Sequence, residues 1–205
     1  PKTALQMAYV RNNSLHLFVL PGLICSLFLN ARSIRMDMLQ SMIALLYPFF
    51  RNEYLLHWRE DGELPAAVER IASVLEEHGL VSREDDCLHG AAIHTYASDM
   101  LAHLGQTVMP SLERFYLTIR LLVQYGSGRL DADALSDLAH HTAQRLSLLY
   151  EFNSPEFFDK VVLRNFINQL RDTDLVWQDD DKALCFGDNL RALDDEARRI
   201  LSPDI

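Results

Sequence analysis

Three features of the sequence predict a mainly α chain with small β-hairpins, arranged as two tandem units. Apolar residues recur at three- and four-residue spacing in four long stretches, as one face of a helix requires. Two other stretches break that period with a short apolar pair, a polar turn and a second apolar pair, the pattern of a hairpin. The same order of stretches also recurs about a hundred residues further on.

The first stripe is Leu39, Met42, Ile43, Leu46, Phe49 and Phe50. Pro48 lies late in it and predicts a kink, because proline removes a backbone donor and crowds the carbonyl of Ala44. Leu112, Phe115, Tyr116, Ile119, Leu122 and Val123 form the second stripe. Leu135, Leu138, Ala139, Thr142, Leu146 and Leu149 form the third. Val161, Leu163, Phe166, Ile167 and Leu170 form the fourth. Ser154, Pro155 and Glu156 suit its start as cap, first-turn proline and dipole partner. Phe157 and Phe158 then predict at least one buried ring.

The hairpins are expected within Gly79–Gly90 and Asp174–Gly187. At an offset of 95 residues, Val68 matches Leu163, Ile71 matches Phe166, Leu75 matches Leu170 and Val81 matches Val176. Ile34 and Leu39 match Leu130 and Leu135 at 96, and Leu15 and Phe18 match Leu112 and Phe115 at 97. Cys87 matches Cys185 at 98. Small loop insertions give such a drift. Helix, helix, helix, hairpin is the order of a winged-helix module, so residues 33–90 and 129–187 are expected to superpose. The domain division that follows is an N-terminal, partly apolar helical segment at 1–32, a first winged-helix-like unit at 33–105 and a second at 106–205 with a C-terminal helix. An irregular helical domain with two unrelated hairpins is the alternative.

Charge narrows the function. Nineteen Lys and Arg against 29 Asp and Glu give the 205-residue chain a net charge of −10. The helix Leu64 to His78 is acidic, with Glu69, Glu76 and Glu77 against Arg70. Its counterpart is near neutral, with Lys160, Arg164 and Arg171 against Glu156, Asp159 and Asp172. The hairpin tips are Glu84-Asp85-Asp86 and Asp179-Asp180-Asp181, which repel phosphate. Nucleic acid is therefore not an expected partner, and acidic winged helices serve better as packing or protein-contact modules.

Asn12 to Ala31 carry no formal charge. A spanning helix needs about 20 predominantly apolar residues, and the run Leu15 to Leu29 is shorter and contains His16, Pro21 and Gly22. It predicts a buried or amphipathic helix interrupted near Pro21-Gly22, with a membrane surface or a further domain as rival contacts. Flanking Lys/Arg clusters, which an electrostatic membrane site needs, are not present. No signal-peptide pattern is seen, and Pro1-Lys2-Thr3 in place of an initiator Met suggests a piece of a longer chain.

His94 and Asp99 have the spacing H-x4-D, in which a carboxylate can orient a general base. Their place just after a hairpin, at a helix start, fits capping by Ser98 or Asp99 instead. His140 and His141 point about 100° apart on a helix and do not converge on a metal. Cys25, Cys87 and Cys185 are widely spaced and odd in number. They read as small buried hydrophobes in a reducing compartment rather than a disulfide or zinc framework. No Gly-rich phosphate loop, G-x-S-x-G elbow or dinucleotide fingerprint occurs. No catalytic, cofactor-binding or metal-binding residue is assigned, and no cofactor.

Several segments together resemble one family. They are Tyr9-Val10-Arg11-Asn12-Asn13-Ser14-Leu15-His16-Leu17-Phe18 with Val19-Leu20-Pro21, then Tyr47-Pro48 and Glu53-Tyr54-Leu55-Leu56-His57-Trp58. Ala143-Gln144-Arg145-Leu146-Ser147, Pro155-Glu156-Phe157-Phe158-Asp159-Lys160 and Leu170-Arg171-Asp172 follow. In this order they resemble the C-terminal region of the bacterial membrane-associated sn-glycerol-3-phosphate acyltransferases, over residues 9 to 176. The resemblance implies a parent enzyme that moves an acyl group from acyl-CoA or acyl-carrier protein to the sn-1 hydroxyl of glycerol 3-phosphate. The product is lysophosphatidic acid, the first intermediate of phospholipid synthesis, made at the cytoplasmic face of the inner membrane. It also implies that the family's H-x4-D, its arginine-bearing glycerol-phosphate motifs and its proline motif lie in an upstream acyltransferase domain. His94 and Asp99 lack the flanking pattern, so no catalytic residue is carried over. Either the chain is the non-catalytic C-terminal domain of such an enzyme, or it is an acidic winged-helix interaction module with no enzymatic role.

Overall fold

Proline in the middle of a helix removes one hydrogen bond, yet the first helix, α1 (Lys2–Leu27), passes through Pro21 without a break. The expected interruption at Pro21-Gly22 is corrected by where the lost bond falls. The deprived carbonyl is that of Leu17, an exposed residue that water can reach. Helix α2 (Met36–Tyr54) also runs on through Pro48, where the freed carbonyl belongs to exposed Ala44.

The computed structural model describes residues 2–58, 62–150 and 159–200, with side chains at 14–58, 62–146 and 159–195. It forms two compact units, Pro1–Met109 and Pro110–Ile205. Eight helices and five short strands lie among the described residues.

In the first unit, α1 is followed by β1 (Ser33–Arg35), α2, α3 (Glu63–Glu77), β2 (Val81–Glu84), β3 (Cys87–Gly90) and α4 (Tyr96–Gln106). The strands make an antiparallel sheet of order β1-β3-β2, with Ile34 opposite Leu88 and Glu84 opposite Cys87. Asp85 and Asp86 alone close the hairpin, and Asp85 takes a positive φ of 51°, which Asp tolerates better than most residues. The core gathers Val19, Leu20, Leu23 and Ile24 of α1 with Leu39, Ile43 and Phe50 of α2. Val68, Ala72 and Leu75 of α3, Leu88 of β3 and Leu101 of α4 complete it. Tyr47 is fully buried and satisfies its hydroxyl by donating to the Trp58 carbonyl at 2.9 Å.

The second unit repeats the order with α5 (Met109–Tyr125), α6 (Ala132–Tyr150), α7 (Lys160–Asp172), β4 (Val176–Gln178), β5 (Leu184–Phe186) and α8 (Asp188–Ile200). Where β1 stands in the first unit, Asp131 bridges Ala183 and the Leu130 carbonyl accepts from the Leu184 amide at 2.7 Å. Residues 128–131 therefore edge β5 as β1 edges β3. The core is Leu112, Phe115, Ile119 and Leu122 with Leu135, Leu163, Phe166, Leu170 and Leu184. Phe115 and Phe166 stack with centroids 4.4 Å apart, the offset contact that aromatic pairs favour.

The expectation of a mainly helical chain with small antiparallel hairpins holds. Three details differ. Asp159 caps α7, its carboxylate accepting from the Val161 amide at 2.8 Å, so the helix does not start at Ser154. Ser154, Pro155, Glu156, Phe157 and Phe158 lie outside the described residues. Val161 is exposed, because it lies two residues, or about 200°, from Leu163 and so off the buried stripe. Cys25 is buried, but Cys87 and Cys185 are only half-buried on their strands.

Candidate functional site

A groove of about 240 Å³ lies in the first unit between the end of α1 and the start of α4. Phe28, Leu29, Ile93 and Leu101 line it, with Asn30, Arg32 and Ser98 as its polar members. The H-x4-D pair found in the sequence is not part of its lining, although the neighbouring residues Ile93 and Ser98 are. His94 lies in the turn after β3, exposed, with a positive φ of 63°. Asp99 lies in the first turn of α4 and is exposed.

The polar groups between them are committed to starting the helix. Thr95 Oγ1 accepts from the Ser98 amide at 3.1 Å, and Ser98 Oγ accepts from the Thr95 amide at 3.1 Å. This is a capping box in which the cap is Thr95 and Ser98 completes the reciprocal bond. The Ser98 hydroxyl also donates to the Thr95 carbonyl at 2.8 Å, so it is not poised as a nucleophile. Asp99 in the first turn complements the helix dipole. One turn on, His103 Nδ1 donates to the Asp99 carbonyl at 2.6 Å, which assigns the proton of that ring to Nδ1. The arrangement is a helix start beside a groove lined largely by apolar residues.

The other sequence-level candidates stay separate. His140 and His141 have ring centroids 5.6 Å apart at 60°, half-buried and exposed respectively. No group of three or more His, Cys, Asp or Glu able to hold a metal gathers among the described residues. Burial pushes the Cys25 thiol up to about 12, which keeps it protonated and inert. The acidic tip at Asp179 is a turn device: its Oδ1 accepts from the Asp181 amide at 3.0 Å and the Ala183 amide at 2.8 Å. No helix among the described residues is long and apolar enough to cross a membrane.

One titratable group escaped the sequence reading. Glu113 sits on α5 beside the stripe residues Leu112 and Phe115, and burial raises its carboxyl to about 7. Its position within an apolar helix face was the available signal. Arg120 and Asp194 form the other feature invisible in sequence, a 3.1 Å ion pair across 74 residues whose carboxylate is buried.

Comparison with known proteins reaches the whole of this architecture. The family described as the glycerol-3-phosphate acyltransferase C-terminal region matches residues 1–179. The glycerol-3-phosphate acyltransferase of Pseudomonas putida strain GB-1 is 36% identical over 203 residues, 98% of this chain. Those of Pseudomonas fluorescens strain Pf0-1 and Pseudomonas paraeruginosa strain PA7 are 34% and 36% identical over 205 residues. In each case the chain spans 24% of the relative's length. With its match running from α1 through β4, the chain belongs to the glycerol-3-phosphate acyltransferase C-terminal region family.

Proposed function

We propose that this chain is the non-catalytic C-terminal domain of a glycerol-3-phosphate 1-O-acyltransferase, serving protein contact rather than chemistry. The observation that carries the reading is the family match over residues 1–179 in a chain spanning 24% of its relatives' length. The parent enzyme esterifies the sn-1 hydroxyl of glycerol 3-phosphate with an acyl group from acyl-CoA or acyl-carrier protein. The hydroxyl attacks the thioester carbonyl, its proton passes to a base, and the thiolate leaves with lysophosphatidic acid as product. That chemistry needs a positioned base, an orienting carboxylate and oxyanion donors, supplied by an upstream acyltransferase domain of the same polypeptide. The enzyme acts as a peripheral protein at the cytoplasmic face of the bacterial inner membrane.

Within this chain, 1–32 lead into two winged-helix-like units at 33–105 and 106–205. Helix, two further helices, hairpin and closing helix recur in both, and the single bridge Asp131–Ala183 stands in the second where β1 stands in the first, which supports that reading. The bounds of α2 and α6 differ by 96 residues at both ends, and β2 and β4 start 95 apart. The acidic hairpin tips favour protein partners over nucleic acid.

The test is turnover of glycerol 3-phosphate by the full-length polypeptide carrying this chain. His94→Ala is expected to leave kcat within a few-fold, and alanine at the histidine of the upstream H-x4-D to abolish it. A loss of 100-fold or more from His94→Ala would place chemistry in this chain and overturn the reading.

A further inference from the structure

Helix α1 changes character along its length. Val19, Leu20 and every residue from Gly22 to Phe28 are buried, with Pro21 half-buried between them. Ser14 and Leu15 are only half-buried, and His16, Leu17 and Phe18 are exposed. Five successive residues at 3.6 per turn point in every direction around the axis. Leu17 is 64% and Phe18 44% exposed, so this part of α1 stands clear of the core over the arc they share with His16, while Ser14 and Leu15 are half-buried.

An exposed helix normally shows a charged face to water, and one that is apolar all round lies inside a protein. Here Asn12 to Ala31 hold no Asp, Glu, Lys or Arg. Leu15 and Leu17 are two residues apart, about 200° around the axis, so the apolar groups are not confined to one side. A helix lying on a lipid surface separates an apolar face from one rich in Lys and Arg, which this segment does not do. An uncharged helix surface is matched by the uncharged interior of another protein body. Full-length relatives hold about three quarters of their length outside the region this chain covers.

We propose that the Ser14–Phe18 segment of α1 is a docking peg, with Leu17 and Phe18 inserted into an apolar cleft of the acyltransferase domain of the same polypeptide. The inference rests on the proposed function above and adds which surface makes the joint. The peg couples the two domains mechanically, because the same helix continues as the buried axis of the first unit.

The experiment uses the full-length polypeptide with the photo-crosslinking residue benzoylphenylalanine at position 17, and at exposed Tyr96 as control. Irradiation is done in detergent solution and again with vesicles of phosphatidylethanolamine and phosphatidylglycerol. Position 17 is expected to yield peptides of the acyltransferase domain at least tenfold above position 96 in both conditions. Adducts to lipid alone, to a second copy, to residues 110–205, or none above the control would overturn the docking. Should the bulky residue disturb folding, Leu17→Cys decides: its alkylation is expected to run at least tenfold slower than that of Tyr96→Cys. Equal rates would overturn the proposal. Turnover by the unsubstituted polypeptide is measured alongside. Activity without the adduct removes the docking and leaves the functional reading; a full-length polypeptide with no activity removes the reading itself.

Discussion

A Cβ placed on Gly105 would lie 3.0 Å from the Cα and 3.0 Å from the amide nitrogen of Ser26, so α4 crosses α1 with backbone against backbone. Gly22 makes the same approach one turn earlier, where an added Cβ would meet Thr107 Oγ1 at 2.6 Å and Val108 Cγ1 at 2.9 Å. Ser26 lies between them, buried, with its hydroxyl turned back to the Leu23 carbonyl at 2.8 Å.

Gly105→Val is therefore expected to destabilise the first unit by about 2–3 kcal/mol, since overpacking a tight contact costs ~1–3 kcal/mol. Gly105→Ala gains up to ~1 kcal/mol of helix propensity, but the obstructing atoms are backbone and cannot rotate away, so a net loss of about 1 kcal/mol is expected. Urea unfolding with an unchanged slope reads both. A stabilised alanine variant would show that the helices separate freely.

Phe166 is buried and stacked on Phe115. Phe166→Ala is expected to cost ~3–5 kcal/mol, the transfer and cavity terms together. Denaturation followed by tryptophan fluorescence would report it through Trp177 of the adjoining hairpin. A loss below ~1 kcal/mol would mean that the stripe is not the core of this unit.

Glu113 gives the second unit a pH dependence of unusual sign. Its carboxyl titrates near 7 when folded against 4.5 as the ordinary value. Between those two values the folded state holds a proton that the unfolded state has lost, so stability falls as pH rises through the window. Glu113→Gln removes the term. Because the group is partly solvated, the gain at pH 8 is expected to be about 1 kcal/mol rather than the full shift, and near zero at pH 4.5. Paired melting curves at the two pH values test this, and an equal effect at both would assign the change to packing instead.

Arg120 holds the buried carboxylate of Asp194 and so ties α8 to α5. Arg120→Ala is expected to cost about 1–3 kcal/mol, less than for a fully buried pair because the arginine is itself partly exposed. Hydrogen exchange should show α8 opening first, with α6 and α7 unaffected. Uniform loss of protection across the unit would contradict a local tie.

The local features of this fold were legible in the sequence. Spacing of three and four placed Leu39 to Phe50, Leu112 to Val123 and Leu163 to Leu170 on helices, and polar turns between short apolar pairs placed both hairpins. Features made by distant partners were not. Strand β1 has only three residues, Ser33–Arg35, and exists because Ile34 finds Leu88. The continuity of α1 through Pro21 turns on the unbonded Leu17 carbonyl falling outside the core of the first unit, and the closeness of Gly105 to Ser26 depends on a helix crossing that no periodicity encodes. The H-x4-D spacing of His94 and Asp99 suggested two readings, and the bonds of Thr95 and Ser98 favour the capping one.

The most direct measurement is acyl transfer to radiolabelled glycerol 3-phosphate by this chain alone, beside the full-length polypeptide, with acyl-CoA as donor and a cooperative thermal transition as proof that the chain is folded. Product is expected from the full-length polypeptide and none above the protein-free blank from residues 1–205. Turnover by the folded chain alone, lost on His94→Ala, would contradict this and move the active site into this domain.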